Sequence, residues 1–353
     1  MALARSDCAP VPLMEPPLMQ TYDQYTIDST GNFLIGQLEK LDPKLNKPLM
    51  TFTWSRDVDL REDITIANDT ASFLLAGYAE TGGMSPNGIS WISQGTDAIS
   101  GVAVDVGKTP QPLHLWGKEL KWTVIDLAKS QALGEGIDVT YYDVMQKAYN
   151  QNVDQVVYTG DTLKGFTGLA NSSYVSNIAN VATAGSQSPT SNSSSTKFAD
   201  KLPVQVLADI NEILNSAWQA SAWAVFPNRL LVPPGTMAYL TSTIISVNGN
   251  AGGISLMQFI RENNIAVAQG EELQILPCKW LNGRGTGGTA GDPTTVNRMV
   301  AYHKSPDYVR YPLTDLQRTP LEYKSIYQAT TYYGRLGQME FIYPETFAYR
   351  DGI

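Results

Sequence analysis

Histidine and cysteine are scarce in this chain of 353 residues, which contains two of each. Cys8 and Cys278 lie far apart and fit no redox or zinc-ligand spacing, and H-x-x-x-H is absent. There is no G-x-S-x-G elbow to supply a nucleophile for hydrolysis. We interpret His114, which lies in an alternating strand pattern, and His303 as structural. The sequence therefore predicts no metal site, no cofactor and no catalytic centre.

Charged residues are also few, at 17% of the chain against a usual share of about a quarter. The 34 acidic residues outnumber the 25 basic ones, which gives a net charge of −9, and the basic residues form no run. Binding to nucleic acid through its backbone needs clustered Lys and Arg, so this balance argues against direct readout of bases. An acidic protein can still enclose nucleic acid, because its negative surface repels the phosphates and does not bind them.

Long apolar runs are missing as well. No stretch of about 18 uninterrupted apolar residues occurs, so we predict no membrane span. The N-terminus lacks a basic start followed by an apolar run, so we expect no signal peptide and a protein kept in a reducing interior.

Apolar and aromatic residues are plentiful, with a hydrophobic fraction of 43%, 18 Tyr and 7 Trp. A fraction of this size supports a sizeable core, and the length exceeds the usual limit for a single one. Aromatic residues concentrate at protein interfaces, and they fill β-rich cores equally well. Two lobes or one elaborated domain are therefore expected.

The most informative segment covers residues 137–173. Its first part has apolar residues at helical spacing and predicts a helix of about 20 residues, or roughly 30 Å. A glycine-rich turn, GFTGLAN at 165–171, follows it. With almost no reactive groups, the segment is interpreted as a structural spine. The residues predicted to share the inner face are Tyr141, Val144, Met145, Ala148, Val153, Val156 and Val157.

A projecting hairpin is predicted before this helix. Residues 99–106 and 113–124 both alternate in polarity, and Gly107-Lys108-Thr109-Pro110 between them has turn chemistry. This pattern predicts Lys108 at the tip of the hairpin.

Two further regions complete the predicted α+β organisation. The first 50 residues are interrupted by prolines and predict an extended arm. Residues from about 200 to 300 alternate between helix and strand patterns and predict an α/β lobe inserted into a framework of strands and the long helix. Residues 282–295 within this lobe form a Gly-rich loop, and its part GRGTGG at 283–288 is interpreted as a mobile loop tip.

This order of elements resembles the major capsid proteins of tailed bacteriophages, which share the Hong Kong 97 type fold, and the related encapsulin shells. The resemblance covers about residues 50–353, and the motifs that carry it are GFTGLAN at 165–171, NRLLVPP at 228–234 and the tail from 334 to 353. It implies an N-terminal arm at 1–49, an extended loop at about 88–122 and a spine helix at about 137–158 within a peripheral domain at 50–199, an axial domain at 200–298, and a return to the peripheral domain at 299–353.

The resemblance implies a structural, non-enzymatic protein that assembles with itself as hexamers and pentamers. The product would be an icosahedral head shell around double-stranded DNA, bound without sequence specificity. Scaffolding, portal and decoration proteins are further expected partners. The expected location is the virion capsid, after assembly in the host bacterial cytoplasm. The residues expected at contacts between subunits are Lys108, Trp116, Arg284, Arg318 and Glu322.

Some members of this fold crosslink an extended-loop Lys to an Asn near the three-fold loop. No Asn occurs after Asn297 here, so we expect a shell without such crosslinks. Two alternatives stay open from the sequence. One is an encapsulin-type compartment holding cargo enzymes, and the other is a β-rich carbohydrate-active enzyme with Tyr and Trp platforms and a carboxylate pair.

Overall fold

The computed structural model describes residues 51–80, 89–92, 94, 101–133, 137–245, 253–292 and 294–353. The chain divides into two units, Met1–Leu49 and Met50–Ile353. The arm expected at 1–49 lies outside the described residues, as does the expected start of the extended loop at residue 88. The second unit has the α+β architecture that the sequence predicts.

The helices of this unit follow in chain order, within the described residues. They are α1 (Trp54–Asp57), α2 (Val124–Leu133), α3 (Ile137–Thr159), α4 (Pro203–Ala220), α5 (Pro234–Ser242), α6 (Leu256–Asn263) and α7 (Ile265–Gln269). The strands are β1 (Asp59–Arg61), β2 (Thr70–Glu80), β3 (Val102–Pro112), β4 (His114–Thr123), β5 (Ile178–Asn180), β6 (Arg229–Val232), β7 (Gln274–Pro277), β8 (Arg298–Tyr302), β9 (Val309–Pro312), β10 (Gln317–Arg318), β11 (Glu322–Lys324), β12 (Tyr327–Leu336), β13 (Glu340–Phe341) and β14 (Ala348–Asp351).

One sheet, with strand order β5-β14-β8-β6-β7, is shared by two hydrophobic cores. Successive side chains of a strand point to opposite faces. Met299 and Ala301 accordingly belong to the core that contains α4, whereas Val300 and Tyr302 belong to the core that contains α3. Because β8 and β14 are buried on both faces, their sequences do not alternate in polarity.

The domain boundary expected between residues 298 and 299 falls within β8 of this sheet and stays a prediction. Strands β8 and β14, from the segment expected to return to the peripheral domain, pair with each other, and β8 also pairs with β6 of the 200–298 segment. A local pattern cannot reveal this arrangement, because the sheet joins segments far apart in the chain.

Helix α3 corresponds to the long helix predicted at about 137–158. Burial of Met145, Val153 and Val157 on its inner face is confirmed, and Tyr149 joins them at four-residue steps. The prediction is wrong for Val144 and Tyr141, which are exposed. The first turns of α3 lie near the β4–β12 sheet, where Tyr142 and Tyr332 pack with ring centroids 5.6 Å apart.

The glycine-rich turn after α3 folds back onto the end of the helix. Asn171 holds both sides of it: Oδ1 accepts from Gly168 N at 2.9 Å, and Nδ2 donates to the Thr159 carbonyl at 3.0 Å. A side chain at Gly168 would overlap the backbone of Tyr158, and Gly160 has a φ of +68°. The turn therefore needs glycine at these two positions, which explains the spacing in the sequence.

The predicted hairpin pairs differently in the structure. Strands β2 and β3 form an antiparallel ribbon running from Thr70↔Pro112 to Glu80↔Val102, and β4 pairs with β12 instead. Lys108 therefore lies opposite Leu74 within the ribbon and not at its tip. The Gly-Lys-Thr-Pro signal misleads because both strands of an isolated ribbon are edges, and an edge strand tolerates a proline without an N–H.

The Gly-rich loop at 282–295 is hydrogen-bonded to the rest of the protein at several points, and its interpretation as a mobile tip stays a prediction. The Gly283 N–H donates to Asn297 Oδ1 at 2.8 Å, and Gly283 has a φ of +61°. Thr286 donates to Asp351 Oδ2 from its N–H at 2.9 Å and from its hydroxyl at 3.0 Å. Glycine serves here to let the backbone approach other backbone closely.

A buried carboxylate of α3 joins two segments of the unit that lie far apart in the sequence. Asp154 of α3 is fully buried and accepts from the N–H groups of Thr53 and Trp54 at 2.8 and 3.0 Å, and from Trp280 Nε1 at 2.6 Å. A single side chain of the long helix thus fixes the start of the described chain against the segment that follows β7.

Candidate interaction surfaces

The ribbon of β2 and β3 carries a strip of exposed apolar side chains on one face. Residues directly opposite in an antiparallel pair share a face, and the register pairs Tyr78 with Val104. We call this strip the ribbon face, and the exposed fractions of its large apolar side chains lie between 57% and 81%. Its members are Leu74, Tyr78, Val102, Val104 and Val106.

The base of the ribbon is anchored in the protein. Ala71 and Phe73, on the opposite face, are buried. The preceding loop is held by Arg335, whose guanidinium contacts the Asp69 carboxylate at 2.6 Å and donates to the Ile66 carbonyl at 2.7 Å. The outer half, by contrast, has small or polar residues such as Ala79 and Asp105 on the face opposite the ribbon face.

This arrangement is unfavourable for an isolated chain in water. A two-stranded ribbon is only marginally stable by itself, and contiguous exposed apolar patches mark sites of protein interaction. Fully burying each large side chain of the ribbon face would contribute about 1.5–3 kcal/mol. The chemistry of this surface is therefore that of docking onto another apolar surface.

A second surface lies between the first turns of α3 and the β4–β12 sheet. It is a cleft of about 260 Å³, and exposed Val139 and Val144 continue it along the helix. The Arg318 guanidinium lies 5.7 Å from the centroid of the Tyr332 ring and donates from Nε to Thr330 Oγ1 at 3.1 Å. The lining residues are Leu120, Trp122, Val139, Tyr142, Arg318 and Tyr332.

Trp116 and Arg284, two of the expected contact residues, line one cleft of about 490 Å³ beside the end of α3. The Trp116 ring packs edge-on against Tyr149, with centroids 4.8 Å apart. Burial lowers the pKa of the Arg284 guanidinium, and its buried Nε has no hydrogen-bond partner among the described residues. Sequence reasoning predicted neither this proximity nor the buried Nε.

The other expected contact residues are spread over the surface. Lys108 and Glu322 are exposed, the first on the ribbon and the second on β11. Arg318 of β10 and Glu322 of β11 belong to the same sheet through β12. The structure places all five residues but brings together only Trp116 and Arg284; their contact with another subunit stays a prediction.

Sequence reasoning missed the ribbon face because β2 was not recognised as a strand. The sequence of β2, TASFLLAGYAE, does not alternate cleanly between apolar and polar residues. Two leucines are consecutive, and alanine occurs on both faces of the strand. The available signal was Tyr78, two and four residues from Ala76 and Leu74, in a segment without proline.

Both histidines have packing partners. The His114 ring lies 5.1 Å from that of Phe166, and His303 Nδ1 lies 2.7 Å from the Phe226 carbonyl. Burial raises the pKa of the Cys278 thiol to about 12. Across the described ranges, no group of three or more His, Cys, Asp or Glu side chains could hold a metal ion. A search of the same residues finds no helix with the length and apolar character needed to cross a membrane.

Comparison with known proteins gives one family. The family model described as major capsid protein matches residues 88–353. The capsid chain of Myoviridae phage XM1 is similar in structure, with a TM-score of 0.68 at 14% identity, covering 90% of this chain and 98% of that one. No curated protein matches the sequence.

Two further solved structures are similar at lower scores. The capsid of an empty GTA particle has a TM-score of 0.55 at 13% identity and covers 94% of this chain and 99% of its own. The chain of Microbacterium phage Oxtober96 has the same score and identity and covers 90% and 96%. At these identities the likeness concerns the fold alone.

Proposed function

Because this chain belongs to the major capsid protein family, we propose that copies of it assemble into an icosahedral shell that encloses double-stranded phage DNA. Its role is that of a structural protein of the head shell, and its place is the virion capsid. The Hong Kong 97 type fold predicted from the sequence is confirmed by the similar capsid structures.

The ribbon face is the observation that best supports self-assembly. Five large apolar side chains are exposed on a ribbon that the rest of the described unit leaves uncovered. In our proposal the ribbon of one subunit lies on the next subunit, where burial of these side chains supplies part of the free energy of assembly. The cleft that contains Trp122, Tyr142 and Tyr332 offers a surface of matching apolar character.

The charge balance supports a shell that encloses DNA without binding it strongly. With 34 acidic and 25 basic residues, a shell of this protein would have no excess of positive charge to bind phosphates strongly. We extend the proposal to a non-enzymatic role and to assembly in the host bacterial cytoplasm. Scaffolding, portal and decoration proteins would be the partners of such a shell.

Electron microscopy of the purified protein in negative stain tests the proposal. We expect regular polyhedral particles or capsomer rings from the wild-type chain. A well-behaved monomer at every concentration and salt condition would overturn self-assembly. Particles that contain a packaged enzyme and no DNA would instead support the encapsulin-type compartment, and hydrolysis of a polysaccharide by a monomer would support the carbohydrate-active enzyme.

A further inference from the structure

A cleft away from the ribbon face lies beside the C-terminal end of α4. Its volume is about 420 Å³, which is in the range of ligand sites. One wall is the chain reversal that follows α4, and the other is formed by Tyr308, Tyr343 and the turn Pro344–Thr346. We call it the Glu345 cleft.

The charge of this cleft is negative and uncompensated. Glu345 is exposed and makes no hydrogen bond or ion pair with any residue that the structure describes. No Lys, Arg or His belongs to the described lining of the cleft. A ligand that brings a positive charge would therefore meet an available carboxylate.

The end of α4 adds partial negative charge of the same sign. The last carbonyl groups of a helix carry the negative end of its dipole. Within the described part of the chain, the Ala220 carbonyl, the last of α4, accepts no backbone hydrogen bond. The helix end and Glu345 thus act on a ligand in the same direction.

Two aromatic rings complete the lining. The centroids of Tyr308 and Tyr343 are 5.8 Å apart, and the rings are inclined at 58°. The face of a tyrosine ring attracts a cation electrostatically. The carboxylate and the helix end favour a cationic group over a neutral or anionic one, and the two tyrosines give the stem of such a side chain a surface to pack against.

The cleft is preformed by a tightly held reversal. Ala222 and Trp223 have φ values of +53° and +65°, a conformation that non-glycine residues rarely adopt. Ser221 Oγ accepts from the Val225 N–H at 3.2 Å, and Trp218 Nε1 donates to the Trp223 carbonyl at 3.0 Å. Because these bonds already fix the wall, binding does not have to order it, and this lowers the entropic cost.

We propose that the Glu345 cleft binds a lysine or arginine side chain of a second copy of this chain. The identity of the partner rests on the proposed function, and charge complementarity supports it. Exposed lysines such as Lys129 and Lys164 have no acidic partner within 4 Å among the described residues, so the chain has cations to offer.

The first test measures cation binding by the unassembled, full-length subunit. Tyrosine ring resonances are followed by NMR while Nα-acetyl-argininamide is added, with Nα-acetyl-glutaminamide as the neutral probe. We expect the signals of Tyr308 and Tyr343 to shift with the argininamide alone, and Glu345→Gln to weaken this binding about tenfold. Equal shifts with both probes, or none with either, would overturn the cation site.

The second test measures the contact between copies in assembled particles. Glu345→Lys places like charges together, and we expect it to lower the particle yield by about tenfold or more at low salt while the subunit stays folded. Asp307→Lys, the same charge change on an exposed residue outside the lining, is the matched control. Wild-type yield for Glu345→Lys would overturn the contact. Failure of the wild-type chain to form particles would instead contradict the proposed function, while the NMR titration would still decide the cation site.

Discussion

Arg298 and Asp351 form a two-point ion pair inside the protein, with Nε–Oδ1 and Nη2–Oδ2 distances of 2.7 and 2.8 Å. Both side chains are buried, and the pair joins β8 to β14, the last strand. The remaining guanidinium nitrogen donates to the Ala170 carbonyl at 2.9 Å, which connects the glycine-rich turn to the same sheet. This pair therefore fixes three distant parts of the chain to one another.

Breaking this pair should destabilise the subunit strongly. Asp351→Asn leaves the Arg298 charge buried without a counter-charge, and we expect the free energy of unfolding to fall by about 3 kcal/mol or more. Denaturant unfolding of the unassembled subunit measures it. The pair of Arg61 with Asp63 is the control, because the Asp63 side chain is exposed and Arg61 keeps Glu340 as a second counter-charge; Asp63→Asn should cost less than about 1 kcal/mol. Equal losses for the two variants would contradict the argument.

The inner face of α3 can be tested with two adjacent residues. Met145 is buried and Val144 is exposed. Met145→Asp buries a carboxylate without a partner, which costs several kcal/mol, and we expect insoluble or unfolded subunits. Val144→Asp should leave folding intact, as judged by circular dichroism and solubility. Normal particles from Met145→Asp would show that the face is not buried.

The ribbon face should matter for assembly and not for folding of the subunit. Tyr78→Ser combined with Val104→Ser removes two apolar side chains that lie opposite each other and are exposed. We expect an unchanged unfolding midpoint and a particle yield lowered by about tenfold or more, because two burials of about 1.5–3 kcal/mol each are lost at every contact. Light scattering during assembly measures the yield.

A control for this variant lies on the other face of the same ribbon. Asp105 is exposed and lies opposite Gly77, so Asp105→Ser alters the ribbon without touching the ribbon face. Its assembly should be close to that of the wild type. If both variants assemble alike, the ribbon face does not make the contact.

Lys108 gives a test of the crosslinking chemistry. With no Asn after Asn297 to receive its amine, boiled and reduced particles should run on a denaturing gel as one band near 38.6 kDa. A ladder of covalent multimers would contradict this. Lys108→Glu should spare folding, because the residue is exposed, and should lower assembly yield if Lys108 touches a neighbouring subunit.

The sequence predicted features that depend on neighbouring residues. The periodicity of α3 identified the helix within a residue of its end, and Gly168 marked a turn that requires glycine because Tyr158 lies against it. The buried positions Met145 and Val153 followed from the same period. These features are local, so a short window contains the information that specifies them.

Pairing between distant strands could not be predicted in the same way. The partner of β4 is β12, about two hundred residues further along the chain. The sequence of either strand does not indicate which strand it pairs with. The sequence predicted Lys108 at a hairpin tip because Gly107 and Pro110 indicate a turn. In the structure these residues stay extended, because β3 pairs along the whole length of β2. The Glu345 cleft depends on the end of α4 meeting the turn Pro344–Thr346, which only the tertiary structure specifies.

The five-stranded sheet shared by the two cores also determines how the subunit can deform. Bending that sheet would separate α4 from one face and α3 from the other, which opens both cores at once. Because opening both cores would be costly, we expect the sheet to resist bending and not to act as a hinge between the two cores. The exposed outer half of the β2–β3 ribbon belongs to neither core, so bending it opens neither of them.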